Sequence, residues 1–114
     1  MKMRPALLVL LSAAAAFAQG RGQQPMRSKI MVYDVASRAS RIIFTADQIW
    51  EAPNWSIDGK HLLVNSGGKL YLLDPDRENT APQSLALDPQ YRCNNDKAFS
   101  WDGKLLGFSA SVQG

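Results

Sequence analysis

The feature that most constrains this chain is an internal repeat. Residues 54–66 (NWSIDGKHLLVNS) match residues 98–110 (AFSWDGKLLGFSA) at an offset of 44, with aromatic, Ser, Asp, Gly and Lys each falling on its counterpart. A second echo sets residues 29–34 (KIMVYD) on residues 69–74 (KLYLLD) at an offset of 40. A supersecondary unit that recurs every 40–45 residues or so, with four short strands in each unit, has the period of a propeller blade.

The spacing within the repeated stretch has a physical sense. In aromatic-Ser-x-Asp-Gly-Lys, Asp58 and Asp102 can turn their carboxylates onto backbone N–H groups one or two residues further on. Gly59 and Gly103 can then take the positive φ that closes the turn. Ser56, Asp58, Gly59 and Lys60, with Ser100, Asp102, Gly103 and Lys104, are therefore read as a structural hairpin set. The two lysines are solvated turn charges on this reading, not a basic patch.

Around the motif the chain is a string of short β signals, at 30–33, 41–45, 61–65, 70–73, 84–87 and 105–109. Asp-Gly, Gly-Gly, Asp-Pro or Asn-Asn separates many of them, as expected for antiparallel strands joined by tight turns. Beyond the N-terminus no segment holds a 3.6-residue period for about ten residues, so no helix is expected there. Gly67-Gly68 predicts a hairpin into 69–74, and the polar stretch 75–82 a wider turn into an outermost strand at 83–87. Residues 88–96 would then cross to the next inner strand. The fold class expected is all-β, with antiparallel four-stranded blades.

These residues resemble the TolB-type, WD40-like β-propeller repeat, whose hallmark is an aromatic followed by Ser-Pro-Asp-Gly-Lys and an apolar strand. Residues 53–60 (PNWSIDGK) and 99–104 (FSWDGK) carry the resemblance, which covers about 29–110. Both copies depart from it at the proline position, occupied here by Ile57 and Trp101. That removes some pre-set φ from the turn. The resemblance implies a partial propeller over 29–114: two outer strands of a first blade (29–45), a complete blade (53–87) and the inner strands of the next (97–110). That is about two blades' worth of strands, whereas propellers close with about four or more. The expectation is the N-terminal part of a longer protein or a truncated gene product, its missing blades supplied by more chain or by self-association. Alone, the piece is expected to leave Leu62, Val64, Tyr71 and Phe108 poorly covered and its strand edges open.

Upstream, Lys2 and Arg4 precede an Ala-, Leu- and Val-rich run to Ala16, followed by an Ala-Phe-Ala pattern. This reads as a secretory signal peptide over 1–18, cut after Ala18. The run is about half of the ~20 residues needed to span a bilayer. Residues 19–28 (QGRGQQPMRS) read as a flexible leader. With the signal removed the net charge falls from +3 to +1, which calls for no nucleic-acid partner. The mature chain is expected to be periplasmic or secreted, without membrane insertion.

The chemistry sought is not found. His61 has no second His, and Cys93 is the single cysteine, so neither a metal site nor an internal disulfide is expected. No nucleophile elbow, phosphate loop or dinucleotide fingerprint appears, and no cofactor or enzymatic activity is expected. Trp50 and Glu51, with Tyr91 and Arg92, fall in connections entering an inner strand, where propellers commonly take partners. They are the candidate binding loops, with packing between blades as the alternative for Trp50 and Tyr91. The function implied by the resemblance is a non-catalytic periplasmic module that binds envelope proteins or supports transport. The alternative is the propeller front of a prolyl-oligopeptidase-type serine peptidase whose catalytic domain lies beyond Gly114.

Overall fold

A computed structural model describes residues 24–112; the signal-peptide reading of 1–18, and residues 19–23 of the leader, fall outside the described residues. Eight strands follow in order: β1 (Ser28–Tyr33), β2 (Ser40–Ala46), β3 (Glu51–Trp55), β4 (Leu62–Ser66), β5 (Lys69–Leu73), β6 (Gln83–Ser84), β7 (Tyr91–Phe99) and β8 (Leu106–Val112). No helix occurs among the described residues. All pairing is antiparallel, in three sheets ordered β1-β2, β3-β4-β5-β6 and β7-β8. The chain is thus all-β, a partial propeller in which one four-stranded blade stands between two hairpins.

The central blade is buried on both faces, and its sequence says why. Strand β4 reads Leu-Leu-Val without alternation, as a strand covered on both sides should. Leu62 and Val64 on one face, with Leu73 of β5, meet Ile30 and Ile43 of the first hairpin. Leu63 and Leu70 on the other face meet Cys93, Phe99 and Phe108 of the last hairpin. Each such side chain, fully withdrawn from water, contributes roughly 1.5–3 kcal/mol. Strand β1, covered on one face only, alternates instead: Ile30 is buried while Met31 and Tyr33 are exposed.

This packing corrects the expectation that Leu62 and Val64 would be poorly covered. Both are buried, because the β1-β2 hairpin closes their face as a neighbouring blade would. Tyr71 is half-buried against Trp50, and Phe108 is half-buried with its ring 5.9 Å from that of Tyr91.

Three local features also differ from the sequence reading. The expected outer strand at 83–87 pairs as a strand only at Gln83–Ser84. Leu85 still donates its N–H to Leu70 O at 3.0 Å, and Leu87 then turns back onto Leu85 O at 2.9 Å. Both leucines fold over the sheet edge into the core beside Leu63, which outweighs a longer ladder. The Asn94-Asn95 pair does not separate strands but lies inside β7. There the register jumps from Cys93↔Ala110 to Lys97↔Phe108, so that extra residues are held in a bulge. Bulges also interrupt β1-β2 and β3-β4; at the latter, Ala52 takes a positive φ of 53°.

Candidate functional site

The two repeat turns come out as near-identical objects. Ser56 Oγ donates to Asp58 Oδ1 at 2.6 Å and accepts the His61 N–H at 3.0 Å, while the same carboxylate oxygen accepts the Lys60 N–H at 3.0 Å. Ser100, Asp102, Lys104 and Leu105 repeat these bonds at the same three distances. Backbone bonds from Gly59 to Ser56 O and from Gly103 to Ser100 O complete the turns, with glycine φ values of 72° and 71°. The missing proline costs the turn little, because side chains hold it shut.

Those bonds act on the carboxyls. Donation from Ser56 first, then from the Lys60 backbone, holds Asp58 below the ordinary value of 3.8, and Ser100 and Lys104 do the same for Asp102. A carboxyl depressed in the folded state contributes stability that is present above its unfolded pKa and lost as pH falls through the folded one. Carboxyl chemical-shift titration is expected to show both aspartates with midpoints below 3.8. Ser56→Ala should raise Asp58 alone; a midpoint at or above 3.8 in the intact chain would contradict the turn chemistry.

At the other end of the strands lies a polar centre that the sequence reading missed. Lys97, on β7, is only 8% exposed, and its ammonium donates to Ala52 O at 2.7 Å and to Asn65 Oδ1 at 2.8 Å. Asn65, also buried, donates its amide to Asn95 Oδ1 at 2.7 Å, and Asn54 donates to Lys97 O at 2.9 Å. One cation thus ties the inner strand of the central blade, its neighbour β4 and the inner strand of the next sheet. It also holds the carbonyl of the residue that the bulge forces to positive φ.

Burial pushes the Lys97 amine below its ordinary value, opposed by the nearby Glu51 carboxylate. Burial likewise raises the Cys93 thiol, opposed by Lys97. A thiol held in its protonated form is a poor nucleophile. Among the described residues no group of three or more His, Cys, Asp or Glu side chains could hold a metal ion.

Two clefts of about 590 Å³ each flank this centre. The first opens between Glu51, Asn65, the Gly67-Gly68 turn and residues 93–96; the second runs along Asn54, Lys97 and Phe108. The signal for the centre was present in the repeat, since Lys97 stands opposite Pro53 in the 44-residue register. A long cation two residues before the motif aromatic, in a strand, invites the question of what it reaches.

The candidate loop residues separate into two kinds. Trp50 packs its ring 4.8 Å from Phe44 and 4.6 Å from Tyr71 in the core, and its ring N–H is buried with no acceptor among the described residues. That is the packing role weighed as its alternative. Glu51, Tyr91 and Arg92 open strands β3 and β7 and so are not loop residues, because the bulges lengthen both inner strands toward the cleft. All three are exposed. Arg92 lies across the Gly67-Gly68 turn so closely that a Cβ on Gly68 would stand 3.1 Å from its Cδ. Glycine at 68, with φ of 78°, thereby admits the Cys93 N–H to its own carbonyl at 2.9 Å. Glu51 lines the first cleft, and Tyr91 and Arg92 line a third beside it.

No family model matches the chain. It is 39% identical over 92 residues to an uncharacterized protein of Agrobacterium fabrum (strain C58), covering 77% of this chain and 30% of that protein. It is also similar to a solved structure named "putative TolB from Agrobacterium tumefaciens", with a TM-score of 0.70 at 39% identity, over 77% of this chain and 31% of the other. The chain therefore spans about 30% of the length of the relatives it matches. In fold it is TolB-like.

Proposed function

We propose that this chain belongs to an exported, non-catalytic TolB-type module that binds a protein partner of the cell envelope, at the end of the sheets where Glu51, Tyr91 and Arg92 open the inner strands. The observation that carries the reading is the buried Lys97 centre. It fixes the bulges of β3 and β7 and so presents those three exposed side chains from a rigid floor beside the clefts. Aromatic and Arg side chains held in this way are favoured anchors of protein interfaces. The likeness to a solved TolB-type structure and the signal-like pattern of residues 1–18 support an envelope location.

Site-specific photo-crosslinking in cells tests this. A benzophenone side chain at position 92 is expected to give a discrete adduct with an envelope protein in the periplasmic fraction, and the same group at position 78, on the far end, to give none. Arg92→Ala should weaken the interaction by about 1–2 kcal/mol, on the order of tenfold. A chain that stays in the cytoplasm, or adducts that form equally from both positions, would remove the basis for the assignment.

A further inference from the structure

Asp58-Gly59 and Asp102-Gly103 are the only Asp-Gly pairs of the chain, and one stands in each copy of the repeat. Such a pair carries a chemical liability. Glycine has no Cβ to shield its amide nitrogen, so that nitrogen can attack Cγ of the aspartyl residue before it. The new C–N bond closes a five-membered succinimide, and the amide proton leaves with the carboxyl hydroxyl as water. A second water then opens the ring. Cleavage at the α-carbonyl gives isoaspartate, in which the main chain runs through the former side chain. Mass is unchanged over the two steps, but the backbone gains a methylene and the free carboxylate is moved onto Cα. Each hairpin here would lose the acceptor on which it closes.

We propose that Ser56 and Ser100 guard these two sites, holding each Asp-Gly pair in a geometry from which the ring cannot close. An intramolecular attack needs the reacting atoms in contact and the electron pair of the nucleophile aimed at the electrophilic carbon. The turn withholds both partners. On the side of the nucleophile, the Gly59 N–H donates to Ser56 O at 2.9 Å and the Gly103 N–H to Ser100 O at 2.8 Å. The proton that must leave is therefore engaged. On the side of the electrophile, Asp58 Oδ1 accepts from Ser56 Oγ at 2.6 Å and from the Lys60 N–H at 3.0 Å, and Asp102 repeats both distances. To present the open face of Cγ to the glycine nitrogen, the carboxylate must turn out of these bonds.

The leaving group points the same way. A protonated carboxyl expels water readily and a carboxylate does not, and the same donors hold both aspartates below the ordinary value of 3.8. The serine hydroxyl is the centre of each arrangement, since it also accepts the N–H of His61 or of Leu105 at 3.0 Å. All of these bonds lie within residues 56–61 and 100–105, so each turn carries its own protection whatever packs beside it.

The test follows isoaspartate at both sites in the folded full chain, kept at neutral pH and physiological temperature. Enzymatic methylation of isoaspartyl carboxylates, with mass spectrometry of the peptides that carry residues 58 and 102, gives the two rates separately. The same chain unfolded in urea gives the unprotected rate. The folded chain should isomerise at least about tenfold more slowly at both sites, because reaction must await local opening of the turn. Ser56→Ala should raise the rate at 58 about tenfold and leave 102 unchanged, and Ser100→Ala should do the reverse. Ser56→Thr, which keeps the hydroxyl, should stay slow. The untouched site in each variant reports on the fold as a whole, since general loosening raises both rates. Equal rates in folded and unfolded chain, a rise at both sites from one substitution, or no rise at the altered site would each overturn the proposal. The assay contains no protein partner, so its outcome is independent of binding at the Lys97 end.

Discussion

Lys97→Met is expected to lower the free energy of unfolding by about 2–3 kcal/mol. Methionine keeps most of the packing of the lysine stem but removes the donor that serves Ala52 O and Asn65 Oδ1. A buried acceptor left unpaired costs roughly 1–3 kcal/mol, and relief of the desolvated charge offsets only part of two such losses. Ala52, released from the ammonium, is also left in a positive-φ conformation that costs on the order of 1–3 kcal/mol when nothing holds it.

Urea unfolding followed by tryptophan fluorescence measures the loss, and a double-mutant cycle with Asn65→Ala should return a coupling of about 1 kcal/mol or more. The linkage has a definite sign. With the folded-state pKa depressed, the unfolded chain binds the proton more tightly, so stability rises with pH from the depressed value up to about 10.5. The methionine variant should lose that alkaline rise. A loss below about 0.5 kcal/mol, the range of an ordinary surface substitution, would show that the centre does not hold the two inner strands together.

Leu63→Ala should cost more, about 3–4 kcal/mol. Leu63 is 0% exposed, and its side chain is shared between the central blade and the β7-β8 hairpin, with Leu70 and Cys93 beside it. Because β7 and β8 form a sheet of their own, side-chain packing of this kind and a few polar bonds fasten it to the rest. The alanine variant should therefore speed amide exchange in β8 more than in β1. Leu105→Ala, at an exposed position on the following turn, should change stability by no more than about 0.5 kcal/mol. If the two leucine variants lost stability equally, the placement of the core between the sheets would be wrong.

Much of the fold could be read from residues that act on near neighbours. Asp58, Ser56 and His61 meet across separations of two and five residues, so the spacing of the motif already contains the turn. The same holds for Asp102, Ser100 and Leu105. The unbroken apolar run of β4 likewise announced a strand, although not the sheets that would cover it. Trp50 and Arg92 resisted assignment because both lie where connections meet inner strands. Whether such a residue packs inward or points outward depends on the bulge beside it, and bulges leave little trace in composition.

The division has one physical source, the distance along the chain over which a contact is made. By itself the sequence determined the period, the hairpin turns and the all-β class, because their donors and acceptors lie within a few residues and their patterns repeat. Only the tertiary structure decided that Lys97 reaches Ala52 and Asn65, 45 and 32 positions away. It also decided that Asn95 meets Asn65 across 30, and that Ile57 and Trp101 stay in solvent while Leu62 and Leu63 do not. Those outcomes depend on which face of one sheet meets the next, and that is fixed by packing among strands far apart in the chain.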